Sequence, residues 1–156
     1  MKTSSCVFIC TVAALAGCSK RTEATDKLDQ ARSRVGIATT AYPNAVVAGT
    51  DFIISASIAN AGQVTLPSFG KDKGDLYRVG VSYHWRQMDD KVAVWDGIFN
   101  PLKSDLKKGK TLQMDLAVKA PAAPGRYILE LDALQNGAFW FGGAGSQTAR
   151  ITIDVK

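Results

Sequence analysis

His84, the single histidine of the chain, follows Ser82 by two residues. On a strand that spacing puts both side chains on one face. A serine beside a histidine is the beginning of a nucleophile–base pair, but a hydrolytic triad also needs an acid, an oxyanion hole and a sharp turn at the nucleophile. No Gly-x-Ser-x-Gly occurs, and Ala144-Gly145-Ser146 only approaches it. His84 therefore reads as an ordinary surface histidine, and a small Ser/His hydrolase is the least favoured function. Glu130 and Asp132 repeat the same spacing with two carboxyls. Such a pair does acid–base work when burial drives the two pKa values apart; on an exposed sheet both are simply solvated, which is the expectation here. One histidine, with no cysteine beyond Cys18, excludes a His-rich metal site. Asp72, Asp75, Asp89 and Asp90 lack the spacing of a calcium loop. Gly142-Gly143-Ala144-Gly145 has the composition of a phosphate loop without its Lys-Ser/Thr ending or following helix. No catalytic residue, metal or cofactor is expected.

The aromatic residues offer a different chemistry. Trp95 and Trp140 lie near turns, accompanied by Phe99, Phe139 and Phe141. Phe139-Trp140-Phe141 cannot all face one way on a strand, so one ring points outward or the segment bulges. Exposed aromatics beside polar groups are a common grip for sugars and protein partners. Trp95, Asp96, Trp140 and His84 form the candidate contact surface, with an indole stacking on a sugar face and the Asp96 carboxylate accepting hydroxyl protons. The alternative is that the rings close the open end of the fold.

The elements that must position these residues are strands. Phe52, Ile54, Ala56 and Ile58 alternate with mostly polar or small neighbours, Ile53 excepted, and so do Val79 to Trp85, Leu112 to Val118, Tyr127 to Ala133 (Ile128 excepted) and Ile151 to Val155. Alternation of this kind builds one apolar and one wet face, as in antiparallel sheets. Turn residues separate the runs at Asn60-Ala61-Gly62, Gly70 to Gly74, Asp89-Asp90, Lys108-Gly109, Pro124-Gly125 and Asn136-Gly137. Asn136-Gly137 predicts a two-residue hairpin. About seven short strands with no strong helix predict an all-β, immunoglobulin-like antiparallel β-sandwich. Its expected core includes Phe52, Ile54, Val81, Trp85, Leu112, Leu116, Tyr127, Leu129 and Ile153.

The N-terminus carries an address. Lys2 precedes an apolar run from Cys6 to Ala16, too short for a bilayer span of about 20 residues and of the form of a secretory signal. Leu15-Ala16-Gly17-Cys18 resembles the lipobox of bacterial lipoproteins. That resemblance implies cleavage before Cys18 and acylation of its thiol, and Ser19 rather than Asp implies the outer membrane, facing the periplasm of a Gram-negative cell. Residues 1–17 are then the signal peptide, 18–37 the lipidated end and a polar tether, and 38–156 the sandwich. Leu28, Ala31 and Val35 fall at near-helical spacing, but the tether has few large apolar groups to bury. Cleavage leaves 139 of the 156 residues, enough for one core. Cys6 and Cys10 leave with the signal, so the domain has no disulfide. Loss of Lys2 lowers the formal charge from +5 to +4. The densest basic cluster, Lys103, Lys107, Lys108 and Lys110, reads as a solvated turn, and nucleic acid is not an expected partner.

A second resemblance rests on residues in fixed order: Tyr83-His84-Trp85, Trp95-Asp96-Gly97, Pro101-Leu102, Ala120-Pro121, Ala123-Pro124-Gly125-Arg126-Tyr127, Gln135 and Trp140-Phe141. Together they resemble an immunoglobulin-like module attached to some bacterial envelope glycosyltransferases and methyltransferases, over roughly residues 43 to 155. The resemblance implies an accessory, glycan-facing sandwich without catalysis of its own. The chain departs from that pattern at Asn136, where the module has Glu, and near Phe99, where it has a basic residue. The resulting expectation is a non-catalytic envelope lipoprotein, held to the membrane through Cys18, whose sandwich binds glycan or envelope polymer. The rival is a structural lipoprotein of a larger secretion or transport assembly, which would show an exposed apolar stripe or bare sheet edge.

Overall fold

The computed structural model describes residues 26–70 and 74–156. The expected signal peptide, Cys18, Ser19, the tether up to residue 25 and Asp72 lie outside the described residues. The alternating runs all form strands: β1 (Val35–Ala41), β2 (Ala45–Val46), β3 (Asp51–Asn60), β4 (Val79–Gln87), β5 (Val92–Val94), β6 (Asn100–Pro101), β7 (Thr111–Lys119), β8 (Gly125–Gln135), β9 (Phe139–Trp140) and β10 (Ala149–Val155). The six long ones carry the period-two pattern, and β2, β5, β6 and β9 are short additions at the edges. Among the described residues no helix is long and apolar enough to cross a membrane.

Two sheets pack face to face. One has the order β1-β3-β7; the other runs β2-β10-β8-β4-β5, with β6 added to β4 and β9 to β8. Pairing is antiparallel throughout except between β2 and β10. This is the immunoglobulin-like sandwich that the alternation predicts, and two details match that architecture. Trp85, on the central strand β4, is fully buried between the sheets. Tyr127, at the start of β8, donates its hydroxyl to the Ala123 carbonyl at 3.1 Å, the corner that commonly opens the equivalent strand.

With no cysteine to link them, the sheets are joined by packing and by hydrogen bonds from aromatic side chains. Ile54, Val81, Trp85, Leu116, Leu129 and Ile153 are all buried, and Phe52, Leu112 and Tyr127 pack against them half-buried. Trp85 Nε1–H donates to the Lys119 carbonyl of β7 (2.9 Å), while Lys119 N–H donates to the Tyr83 hydroxyl (2.8 Å). The Asn100 amide clamps Ala117 of β7 on one side of the sandwich, accepting its N–H at 2.8 Å and donating to its carbonyl at 3.1 Å. On the other side, β1 exchanges backbone bonds with Gln147 ahead of β10.

Three expectations need correction. The tether does not extend to residue 37. Val35 and Ile37 are buried in β1, whose register Val35↔Asn60 to Thr39↔Ala56 ties it to β3. The Gln135 side chain fixes the chain further upstream, accepting from Leu28 N–H and donating to the Asp26 carbonyl. The Asn136-Gly137 hairpin has three connecting residues, with Gly137 alone of the pair at positive φ (71°) and Ala138 N–H closing the turn on Gln135. Most consequentially, the polar face of β4 is not wet. Residues 79–85 are buried on both sides, because a second layer of chain covers Gly80, Ser82 and His84.

Candidate functional site

The cover over β4 comes from two segments distant in sequence. Trp95 leaves the end of β5 and folds back over β4, its carbonyl accepting a hydrogen bond from His84 Nδ1–H. A carbonyl can only accept, so this contact fixes the proton on Nδ1. The Trp95 ring stacks on the imidazole at 4.1 Å between centroids and 20° between planes. From its place beside β8, β9 brings Trp140 to the same imidazole at 4.4 Å, and the two indoles meet edge to face at 6.2 Å. Alternation along β9 explains the choice of ring: Phe139 and Phe141 touch each other at 4.8 Å on the core side, and Trp140 between them turns outward. His84 is thus 3% exposed, not an ordinary surface histidine, whereas Trp95 is 49% exposed.

Beside this aromatic group lies a cleft of about 550 Å³, lined by His84, Arg86, Trp95, Glu130, Asp132 and Trp140 together with the 142–148 loop and Gln30. Its floor is the outer face of β4 and β8, where the register sets Ser82 opposite Asp132 and His84 opposite Glu130. The two carboxyls, expected to be equally solvated, differ sharply. Glu130 is partly desolvated, which alone would raise its pKa. The hydrogen bond and charge of Arg86 (Nε to Oε2, 2.5 Å), helped by Thr148 and Arg150, nevertheless hold it below the ordinary value of 4.5. Asp132 is 5% exposed, and burial pushes its carboxyl up from 3.8 to about 6. Backbone N–H groups of Gly142 and Ala133 oppose that rise, and the charge of Glu130 adds to it. The Gly142 N–H reaches both carboxylate oxygens, at 2.9 and 3.1 Å. A Cβ at Gly142 would lie 2.5 Å from Asp132 Oδ2, so the close approach requires glycine.

The structure therefore brings three of the four expected contact residues together: His84, Trp95 and Trp140. Asp96, just past the end of β5, goes elsewhere. It lines a separate, mostly apolar hollow of about 410 Å³ with Tyr83, Val94, Ile98 and Pro121. The carboxylates beside the indoles are Glu130 and Asp132. Their i, i+2 spacing is visible in the sequence; their burial under the 95 and 139–146 segments is not. The hydrolytic arrangement is not assembled: Ser82 Oγ is buried without a hydrogen-bond partner, so it is not bonded to His84. Among the described residues no group of His, Cys, Asp and Glu is placed to hold a metal ion.

No family model and no curated protein matches the chain. Among solved structures it is similar to a Listeria innocua β-glucosidase mutant in complex with laminaribiose (10% identity, TM-score 0.46), covering 80% of this chain and 16% of that one. It is also similar to the Bacillus subtilis sporulation control protein Spo0M (11% identity, TM-score 0.46), covering 79% of this chain and 49% of that one. A CARDB domain from Pyrococcus furiosus is similar at 13% identity and TM-score 0.43, covering 80% of this chain and 94% of that one. The chain spans about a sixth of the length of the β-glucosidases it matches.

Proposed function

We propose that the chain is a non-catalytic lipoprotein of the bacterial envelope whose sandwich binds glycan in the Trp95–Trp140 cleft. The observation that carries this reading is the state of Trp95. Its ring is half-exposed, yet it is held by the His84 stack and by its own carbonyl, at the mouth of a cleft whose floor is polar. A ring fixed before the ligand arrives loses little freedom on binding. The polar floor, with Arg86 as donor and Glu130 and Asp132 as acceptors, suits the hydroxyls of a sugar whose apolar face lies on the indole.

Trp95→Ala is expected to abolish retention on an envelope-glycan column and to lower the melting temperature by no more than a few degrees, because an exposed ring contributes little burial. Normal retention with a large loss of stability would assign Trp95 to the fold instead. For the anchor, mass spectrometry of the membrane fraction is expected to find an acylated Cys18 as the mature N-terminus, and Cys18→Ser to leave an unprocessed or mislocalised chain. Wild-type fractionation of that variant would remove the lipoprotein reading.

One observation favours the accessory-subunit alternative. Val92, Val94 and Ile98 are exposed on and just beyond β5, which pairs on one side with β4 and ends the large sheet. A partner strand added to β5 would cover them. Cross-linking from residue 92 to an envelope protein, with glycan retention absent, would select this reading over the first.

A further inference from the structure

Asp132 stands out within the cleft because it is charged, buried and without a counter-ion. Glu130 has Arg86 at 2.5 Å, and Arg150 turns to Asp90. Among the described residues no lysine, arginine or histidine pairs with Asp132, whose partners are backbone N–H groups. The charged and titratable groups around it are Glu130 on its own strand, His84 and Arg86 on β4, and Arg150 on β10 opposite Glu130. Arg86 and Glu130 cancel, leaving the lined cleft with one uncompensated negative charge while the chain as a whole carries +5. Across the ladder from Asp132, Ser82 Oγ is also buried without a partner. Leaving an ionised carboxylate desolvated and unpaired is costly, and such groups concentrate where a ligand completes them.

Resting on the glycan reading above, we propose that the ligand carries a protonated amine, as in a sugar with a free 2-amino group, and that its ammonium pairs with Asp132 while the sugar ring lies against Trp95. An acidic glycan would set like charges together on the cleft floor. A neutral or N-acetylated sugar would leave the carboxylate unpaired or force it to take a proton. An ammonium supplies the missing charge with three donors, and the neighbouring indoles favour a cation as well. Because the carboxyl titrates at about 6, the pairing weakens as the pH falls below that value and the site becomes neutral.

Isothermal titration of the full-length chain in detergent at pH 6.5 tests this with two probes, a β-1,4-linked glucosamine oligomer and its fully N-acetylated counterpart. The free-amine oligomer is expected to bind at least about tenfold more tightly, with the preference shrinking towards pH 5. Asp132→Asn should erase the preference, and Trp95→Ala should weaken both probes alike. Equal affinity for the two probes, or a preference that survives in Asp132→Asn or is indifferent to pH in the wild type, overturns the amine assignment and leaves glycan binding standing. Binding of neither probe overturns both.

Discussion

Trp85→Ala is expected to cost about 3–5 kcal/mol of unfolding free energy, the range for removing a fully buried large aromatic. Trp85 has no exposed surface. Its ring contacts Phe52, Tyr83 and Tyr127 at centroid distances of 6.3, 6.4 and 6.0 Å, drawing on both sheets. Truncation leaves a cavity between the sheets and deprives the Lys119 carbonyl of its indole donor. Domains of this size are typically stable by about 5–15 kcal/mol, so one substitution removes a large share of the whole. Urea unfolding followed by circular dichroism measures it. A loss below about 1 kcal/mol would mean that the sheets are held elsewhere than at this cluster.

Asp132→Asn is expected to act in the opposite direction. The folded carboxyl titrates at about 6 rather than 3.8, so between those values the folded chain holds a proton that the unfolded chain has released. Stability from this group is therefore lost as the pH rises through that window. The penalty is absent below about pH 4 and complete above about pH 6. At about 1.4 kcal/mol per pH unit, it reaches up to about 3 kcal/mol at neutral pH. Asparagine keeps an acceptor for the Gly142 N–H and carries no charge. The variant should be more stable than the wild type by about 1–3 kcal/mol at pH 7 and nearly equal to it at pH 4. Melting curves across that range give the comparison, and a variant less stable than wild type at pH 7 would contradict the burial argument. On the proposal above, that penalty at neutral pH is relieved when a ligand ammonium pairs with the carboxylate.

The two carboxyls also mark where sequence reading stops. The inward faces were legible: alternation from Phe52 to Ile58 and from Tyr127 to Ala133 put the right side chains into the core, because a strand has only two faces. Phe139-Trp140-Phe141 was legible for the same reason, and the middle ring turns outward. The outer face of β4 and β8 was not. Its fate depends on whether remote chain covers it, and strand period carries no information about that. His84 and Asp132 read as solvated because Ser82, Arg86 and Glu130 flank them; Trp95, the 142–146 loop and β9 then bury them. Asp96 lies just past β5, where strand alternation no longer holds, and it lines the hollow beside Tyr83 and Pro121 instead.

The proposed glycan site lies in the cleft, and the three tryptophans report on its occupancy directly. Trp95 and Trp140 border the cleft, whereas Trp85 is sealed between the sheets with its indole N–H on Lys119. Nuclear magnetic resonance of the indole Nε1–H signals during titration with soluble envelope oligosaccharide reads all three at once. The prediction is that the Trp95 and Trp140 signals move together and saturate while the Trp85 signal stays in place. Signals from Trp95 and Trp140 that remain fixed to the end of the titration would contradict it.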